Sequence, residues 1–137
     1  MSVKKIDHVA IVVPDLEQAR NFYEQALGLE VSHIEDVAAE QVRIAFLPVG
    51  DSEIELIEPT TEDSGVAKYL AKRGPGMHHM CIEVDDIDAS MQRLRDQGIE
   101  LLNEEPATGS DGRRYAFAHP KSTFGVLIEL YQYPEAE

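Results

Sequence analysis

Along the chain, β-branched runs with alternating polarity give way repeatedly to stretches whose apolar residues recur every third or fourth position. "KIDHVAIVV" is of the first kind and predicts a strand. "PDLEQARNFYEQALG" is of the second, with Leu16, Ala19, Tyr23 and Ala26 or Leu27 on one stripe. Asp15 suits the N-cap, Gln18 completes a capping box and Gly28 stands where the helix should stop. "LEVSHIEDV", "QVRIAFLPVG" and "SEIELIEP" predict three further strands, the last two joined by the tight turn "PVGDS". "SGVAKYLAKRGPG" predicts a short helix over residues 64–73, ended by Gly74-Pro75. The grammar then restarts. "HHMCIEV" predicts a strand, and "DDIDASMQRLRDQG" a helix with Ile87, Met91 and Leu94 on one face and Gly98 at its end. "IELLNEEP", "RRYAFAHP" and "GVLIELYQYP" predict three more strands.

The second series copies the first. His8 and His79 stand 71 residues apart, Gly28 and Gly98 70, and Glu55 and Glu129 74. A near-constant offset marks an internal repeat. The expectation is an α+β fold of two tandem β-α-β-β-β modules, residues 1–59 and 76–137, joined by a helical connector at 64–73. Together they make a single domain spanning residues 1–137. Short connections make the sheet mostly antiparallel: one curved, eight-stranded sheet, with helices on its outer face and a groove inside.

Alternate strand residues share a face. His8 therefore shares one with Ala10 and Val12, and His79 with Cys81 and Glu83. Glu55 goes with Glu53 and Ile57, and Glu129 with Leu127 and Tyr131. A carboxylate among apolar neighbours is costly unless it is paired or bound to a metal. The small Ala10 and Cys81 leave room beside the histidines. If the modules pair about a pseudo-twofold axis, two histidines and two glutamates converge. This all N/O set suits a divalent ion with open positions better than a closed structural zinc site. Taken singly, a strand histidine is more often a core or surface residue, and either glutamate suits a wet face. The four coincident positions favour the metal. His78 has the opposite parity to His79, and His33 and His119 lie outside the repeat.

The formal net charge of −14 argues against a nucleic-acid partner, which needs a basic field. A small anionic ligand needs only a local basic pocket, and "YLAKRGPG" and "GRRYAFAHPKS" are the basic islands. Cys81 is the only cysteine, so no internal disulfide forms and a reducing compartment is expected. No apolar run approaches the roughly 20 residues of a membrane helix, and "MSVKKIDH" has no apolar stretch after its lysines. These features predict a cytoplasmic protein without a membrane partner.

The long strings "VAKYLAKRGPGMHHMCIEVDDIDA" and "FAHPKSTFGVLIELYQYP", with "IDHVAIVVPDLEQARNFY", "IELIEPT" and "LLNEEP", carry a likeness. The chain resembles the vicinal oxygen chelate, or glyoxalase-like, superfamily and within it the methylmalonyl-CoA epimerase family, over nearly its whole length. That resemblance implies an isomerase of propionate metabolism, interconverting (R)- and (S)-methylmalonyl-CoA through an enolate. It implies a homodimer and a divalent metal held by His8, Glu55, His79 and Glu129. Cobalt is the ion the family suggests first, ahead of manganese, nickel, zinc or magnesium. Glu129 is implied as a proton-transfer group, and Lys121 and Ser122, in a turn-rich loop, are either substrate contacts or part of a solvated turn. Many members carry Gln where Glu55 stands. Some carry a glutamate at the position matched to Arg43, which here becomes a substrate-carboxylate contact or a surface residue. The alternatives on this scaffold are a glyoxalase-type lyase, an extradiol-type dioxygenase that would not need Glu55, and a metal-free small-molecule binding module.

Overall fold

The computed structural model describes residues 2–109 and 111–135; the outermost limits of the two repeat modules, residues 1, 136 and 137, lie outside them. The strands are β1 (Val3–Val12), β2 (His33–Val37), β3 (Val42–Val49), β4 (Ser52–Pro59), β5 (Gly76–Val84), β6 (Ala107–Thr108), β7 (Arg114–Ala118) and β8 (Ile128–Gln132). The helices are α1 (Leu16–Arg20), α2 (Gly65–Arg73) and α3 (Ile87–Asp96). The eight strands are hydrogen-bonded in the order β2-β3-β4-β1-β5-β8-β7-β6, a mixed sheet. Two compact units divide the chain, one of His8–His78 and the other of Met1–Asp7 with His79–Glu137.

In the first unit, β2, β3 and β4 form antiparallel ladders, and β4 runs parallel to the second half of β1. Asp15 caps α1, its carboxylate accepting the Gln18 amide as the capping box predicts. The helix is not uniform: residues Asn21–Ala26 widen into a π turn, with the Leu27 N–H donating to the Phe22 carbonyl at 2.8 Å. Over two turns, an apolar stripe cannot distinguish 3.6 residues per turn from a slightly wider winding. On the helix side of the sheet, Val13, Leu16, Ala45, Leu47 and Leu56 form a core, with Ala19 and Tyr23 packed against it. Replacing the fully buried Leu56 with alanine should therefore destabilise the protein by about 2–5 kcal/mol. This should appear as a lower urea midpoint with an unchanged denaturant slope. The other face carries Ala10, Val42, Ile44 and Ile57, packed with Val66 of α2. Ser64 caps α2, its hydroxyl accepting the Ala67 amide.

The second unit repeats this plan. β5 pairs parallel with β8, and β8 and β6 flank β7 antiparallel. Asp86 caps α3, and Val84, Ile87, Met91, Ala116 and Leu130 make its core. α1 and α3 are each pinned to the last strand of their repeat by the same kind of bond. The Leu16 amide donates to the Glu58 carboxylate, and the Ile87 amide to the Gln132 side-chain oxygen, both at 2.8 Å. These acceptors satisfy N-terminal amides that have no partner within the helix. The predicted "IELLNEEP" strand is reduced to an isolated bridge between Leu101 and Ala118, followed by the two-residue β6. There the Asn103 side chain accepts the Phe117 amide, taking a bond that a continuing strand would have supplied through its backbone.

Candidate active site

Within each unit, register places the functional side chains. In the first, the parallel β1–β4 ladder sets Ala10 level with Glu55, and the antiparallel β3–β4 ladder sets Phe46 against Glu55's other side. In the second, Cys81 stands level with Glu129, and Phe117 flanks it across β7. Each glutamate therefore lies in a lateral row between a small, fully buried residue and a phenylalanine. The histidine sits two residues before the small one, on the same face. The Nδ1 of His8 lies 3.3 Å from a Glu55 carboxylate oxygen, and the Nε2 of His79 lies 3.1 Å from one of Glu129. His8, His79 and Glu129 are buried, and the Glu55 side chain is 13% exposed. A carboxylate this buried is stabilised only by partners, and in each unit the imidazole is one.

The repeat is not symmetric around these pairs. β3 and β4 are joined by residues 50 and 51 alone, whereas residues 119–127 link β7 to β8. The three extra residues between Phe117 and Glu129 lie in this loop, which begins with a 3-10 turn at Pro120–Ser122. Lys121 is exposed on that turn, and the Ser122 hydroxyl accepts the Glu100 amide at 3.2 Å. His119 caps the turn, its Nδ1 accepting the Lys121 amide.

Arg43 does not join this face. Since Phe46 is level with Glu55, the β3 residues facing with Glu55 are Val42, Ile44 and Phe46; Arg43 projects to the opposite side. There it pairs with Asp36, its register partner on β2, with Nε to carboxylate at 2.7 Å. This hydrogen bond, reinforced by the charge of Asp36, raises the guanidinium pKa above its ordinary value. β3 is apolar on both sides, so its sequence could not disclose which parity faces Glu55.

Sequence reasoning also passed over two groups. His33 stands against Phe46 in the β2–β3 register and stacks on its ring, centroids 4.3 Å apart and nearly parallel. His78 instead meets the Tyr69 ring edge-on. In the second unit an aromatic run leads away from His79. It passes through Phe117, Tyr115, Tyr131 and Tyr133 at centroid spacings of 5.9–6.3 Å. Arg113 lies over the rings of Tyr131 and Tyr133, 5.1 and 5.7 Å from their centroids, and is ion-paired with Asp111. The Tyr133 hydroxyl donates to Asp7. Burial, with this acceptor carboxylate, pushes the Tyr133 phenol above its usual range.

The sheet order and the duplicated His–Glu rows define a class. Residues 7–117 match the Glyoxalase/Bleomycin resistance protein/Dioxygenase superfamily, and the chain belongs to it. Within that class the relatives are specific. The chain is 43% identical over 129 residues to the human mitochondrial methylmalonyl-CoA epimerase, covering 93% of this chain and 73% of that one. It is 40% identical over 132 residues to the ethylmalonyl-CoA/methylmalonyl-CoA epimerase of Cereibacter sphaeroides, covering 95% and 98%. Among solved structures, a variant of the Streptomyces coelicolor methylmalonyl-CoA epimerase in complex with 2-nitronate-propionyl-CoA superposes with a TM-score of 0.84. It is 41% identical, with coverage of 98% of this chain and all of that one.

Proposed function

We propose that this protein is a methylmalonyl-CoA epimerase, interconverting the (R) and (S) forms of its substrate by removing and returning the proton between thioester and carboxylate. The observation that carries the reading is the twice-built row of small residue, glutamate and phenylalanine with its histidine, in a chain similar to named epimerases over almost all its length.

Support for a metal comes from donor chemistry. His8, His79 and Glu129, each buried in its own unit, are side chains of a kind that ligates an ion. With Glu55 they make an all N/O set fitting a hard or borderline divalent cation. A cation held by His8, Glu55, His79 and Glu129 would supply Lewis-acid stabilisation of the negative charge that develops on the thioester oxygen. The reading carries with it cobalt as the native ion, a cytoplasmic location and a homodimer. Among the described residues no helix is long and apolar enough to cross a membrane.

The protein's own groups account for proton removal and substrate binding, and water returns a proton to the opposite face of the enolate. Glu129, buried between Cys81 and Phe117, takes the proton from the α-carbon. A base contributes most when fixed within hydrogen-bond reach of the proton it moves. Phe46 and Phe117 shield the glutamates from water, which strengthens every charge interaction beside them. Lys121 and Ser122, on the longer loop of the second unit, bind the acyl-CoA through the lysine charge and the serine hydroxyl, their backbone amides being given to His119.

The test is isotopic. One stereoisomer of methylmalonyl-CoA incubated in deuterated water with metal-loaded protein should gain deuterium at the α-carbon and lose optical purity. Protein stripped with a chelator should do neither. Retention of both proton and configuration by the loaded protein would leave a binding module in place of an enzyme.

A further inference from the structure

The two units use one frame but fill it differently, and the difference points to the acyl group's carboxylate. In the first unit, the face that carries Glu55 continues through Ile57 and Pro59 on β4, and through Ile44 and Val42 on β3. Val42, Ile44 and Ile57 are buried, and Val66 of α2 packs on their cluster. The equivalent places in the second unit hold Tyr131, Tyr133, Tyr115 and Arg113. These are partly exposed. Where one unit closes its face with an apolar plug, the other presents three phenols and a guanidinium.

Arg113 is built into that face. Arg113 and Tyr133 flank the end pair of the β7–β8 ladder, Arg114 with Gln132, and the guanidinium lies over the Tyr131 ring, two residues along the strand from Glu129. Two residues of strand span about 7 Å. Gly112, immediately before it, has φ +87°, a conformation that side chains rarely adopt, and a Cβ there would meet Pro134 at 3.2 Å. This turn brings Arg113 back over the rings. Asp111 holds Nε, and the rings of Tyr131 and Tyr133 lie beneath the guanidinium. The guanidinium is thereby fixed while its side chain remains 38% exposed. A planar fork held over aromatic rings is suited to a carboxylate, which it can engage with paired N–H donors.

We infer that Arg113 is a specificity-determining residue that binds the free carboxylate of the acyl group, resting on the epimerase reading. It selects acyl-CoAs bearing a second carboxyl group and fixes the α-carbon relative to Glu129.

The experiment compares wild type with Arg113→Gln and Arg113→Lys, all metal-loaded. Charged hydrogen bonds of this kind shift affinity by about 10- to 100-fold. Arg113→Gln should raise KM for methylmalonyl-CoA by that factor. Inhibition by free coenzyme A, which lacks the acyl carboxylate, should stay unchanged. Calorimetric affinity for methylmalonate should fall in step, and Arg113→Lys should recover part of each loss. If the glutamine variant misfolds, the lysine variant carries the same comparison, with an intermediate KM and unaltered coenzyme A inhibition. Unchanged KM and methylmalonate affinity in a folded variant would overturn the inference. So would coenzyme A inhibition weakening in parallel, since the guanidinium would then serve the nucleotide arm. A wild type that exchanges no proton would refute the epimerase reading alone, because methylmalonate binding still decides the role of Arg113.

Discussion

Replacing Glu129 with glutamine should slow α-proton exchange by at least about a thousandfold while leaving the fold intact. Loss of a positioned proton-transfer group alone costs about 10²–10⁴ in rate. Here the same side chain is also proposed to hold the cation that stabilises the enolate, so the two losses fall together. The substitution is nearly isosteric. The row of Cys81, Glu129 and Phe117 keeps its packing, and removing a buried carboxylate lowers the desolvation cost at that position. The thermal midpoint should therefore stay near that of wild type. Deuterium incorporation measured by mass spectrometry reads the chemical step directly. Exchange within tenfold of wild type would remove Glu129 from the proton pathway.

The second large effect is expected from the histidines. His8→Ala and His79→Ala should each abolish retention of a stoichiometric divalent ion through desalting, and epimerisation with it. The two losses should be alike, because each histidine occupies the same place in its unit and pairs with its own glutamate at nearly the same distance. Each alanine also leaves a buried carboxylate without its imidazole partner, so a moderate loss of stability accompanies the loss of metal. Metal content by atomic spectroscopy separates the two effects. A variant that still holds one ion per chain and still turns over would remove that histidine from the ligand set. Glu55→Ala distinguishes the epimerase from a dioxygenase-type site, in which two histidines and one carboxylate suffice: here it should cost activity.

The duplication was legible without coordinates, because it is written in repeated chemistry: a histidine two residues before Ala10 or Cys81, and a glutamate closing each unit. The caps were legible too, since Asp15, Ser64 and Asp86 act through neighbours three residues away. The strand after α3 was misread because hydrophobic alternation cannot show that the Asn103 side chain takes over a ladder bond. The clamps from Glu58 and Gln132 to the helix N-termini join residues over forty positions apart, and no local pattern announces them.

What the sequence determined by itself is therefore what depends on spacing along the chain: two copies of one unit, the order of most of their elements, and the four residues repeated between them. Tertiary structure alone decided which face each side chain joins and what stands beside it. It turned Arg43 away to Asp36, stacked His33 on Phe46 and laid Arg113 over Tyr131. The reason is the period of two in a strand. A single-residue shift in pairing exchanges the faces, and where both faces are apolar, only the hydrogen-bonded register with a distant strand shows which arrangement the protein has adopted.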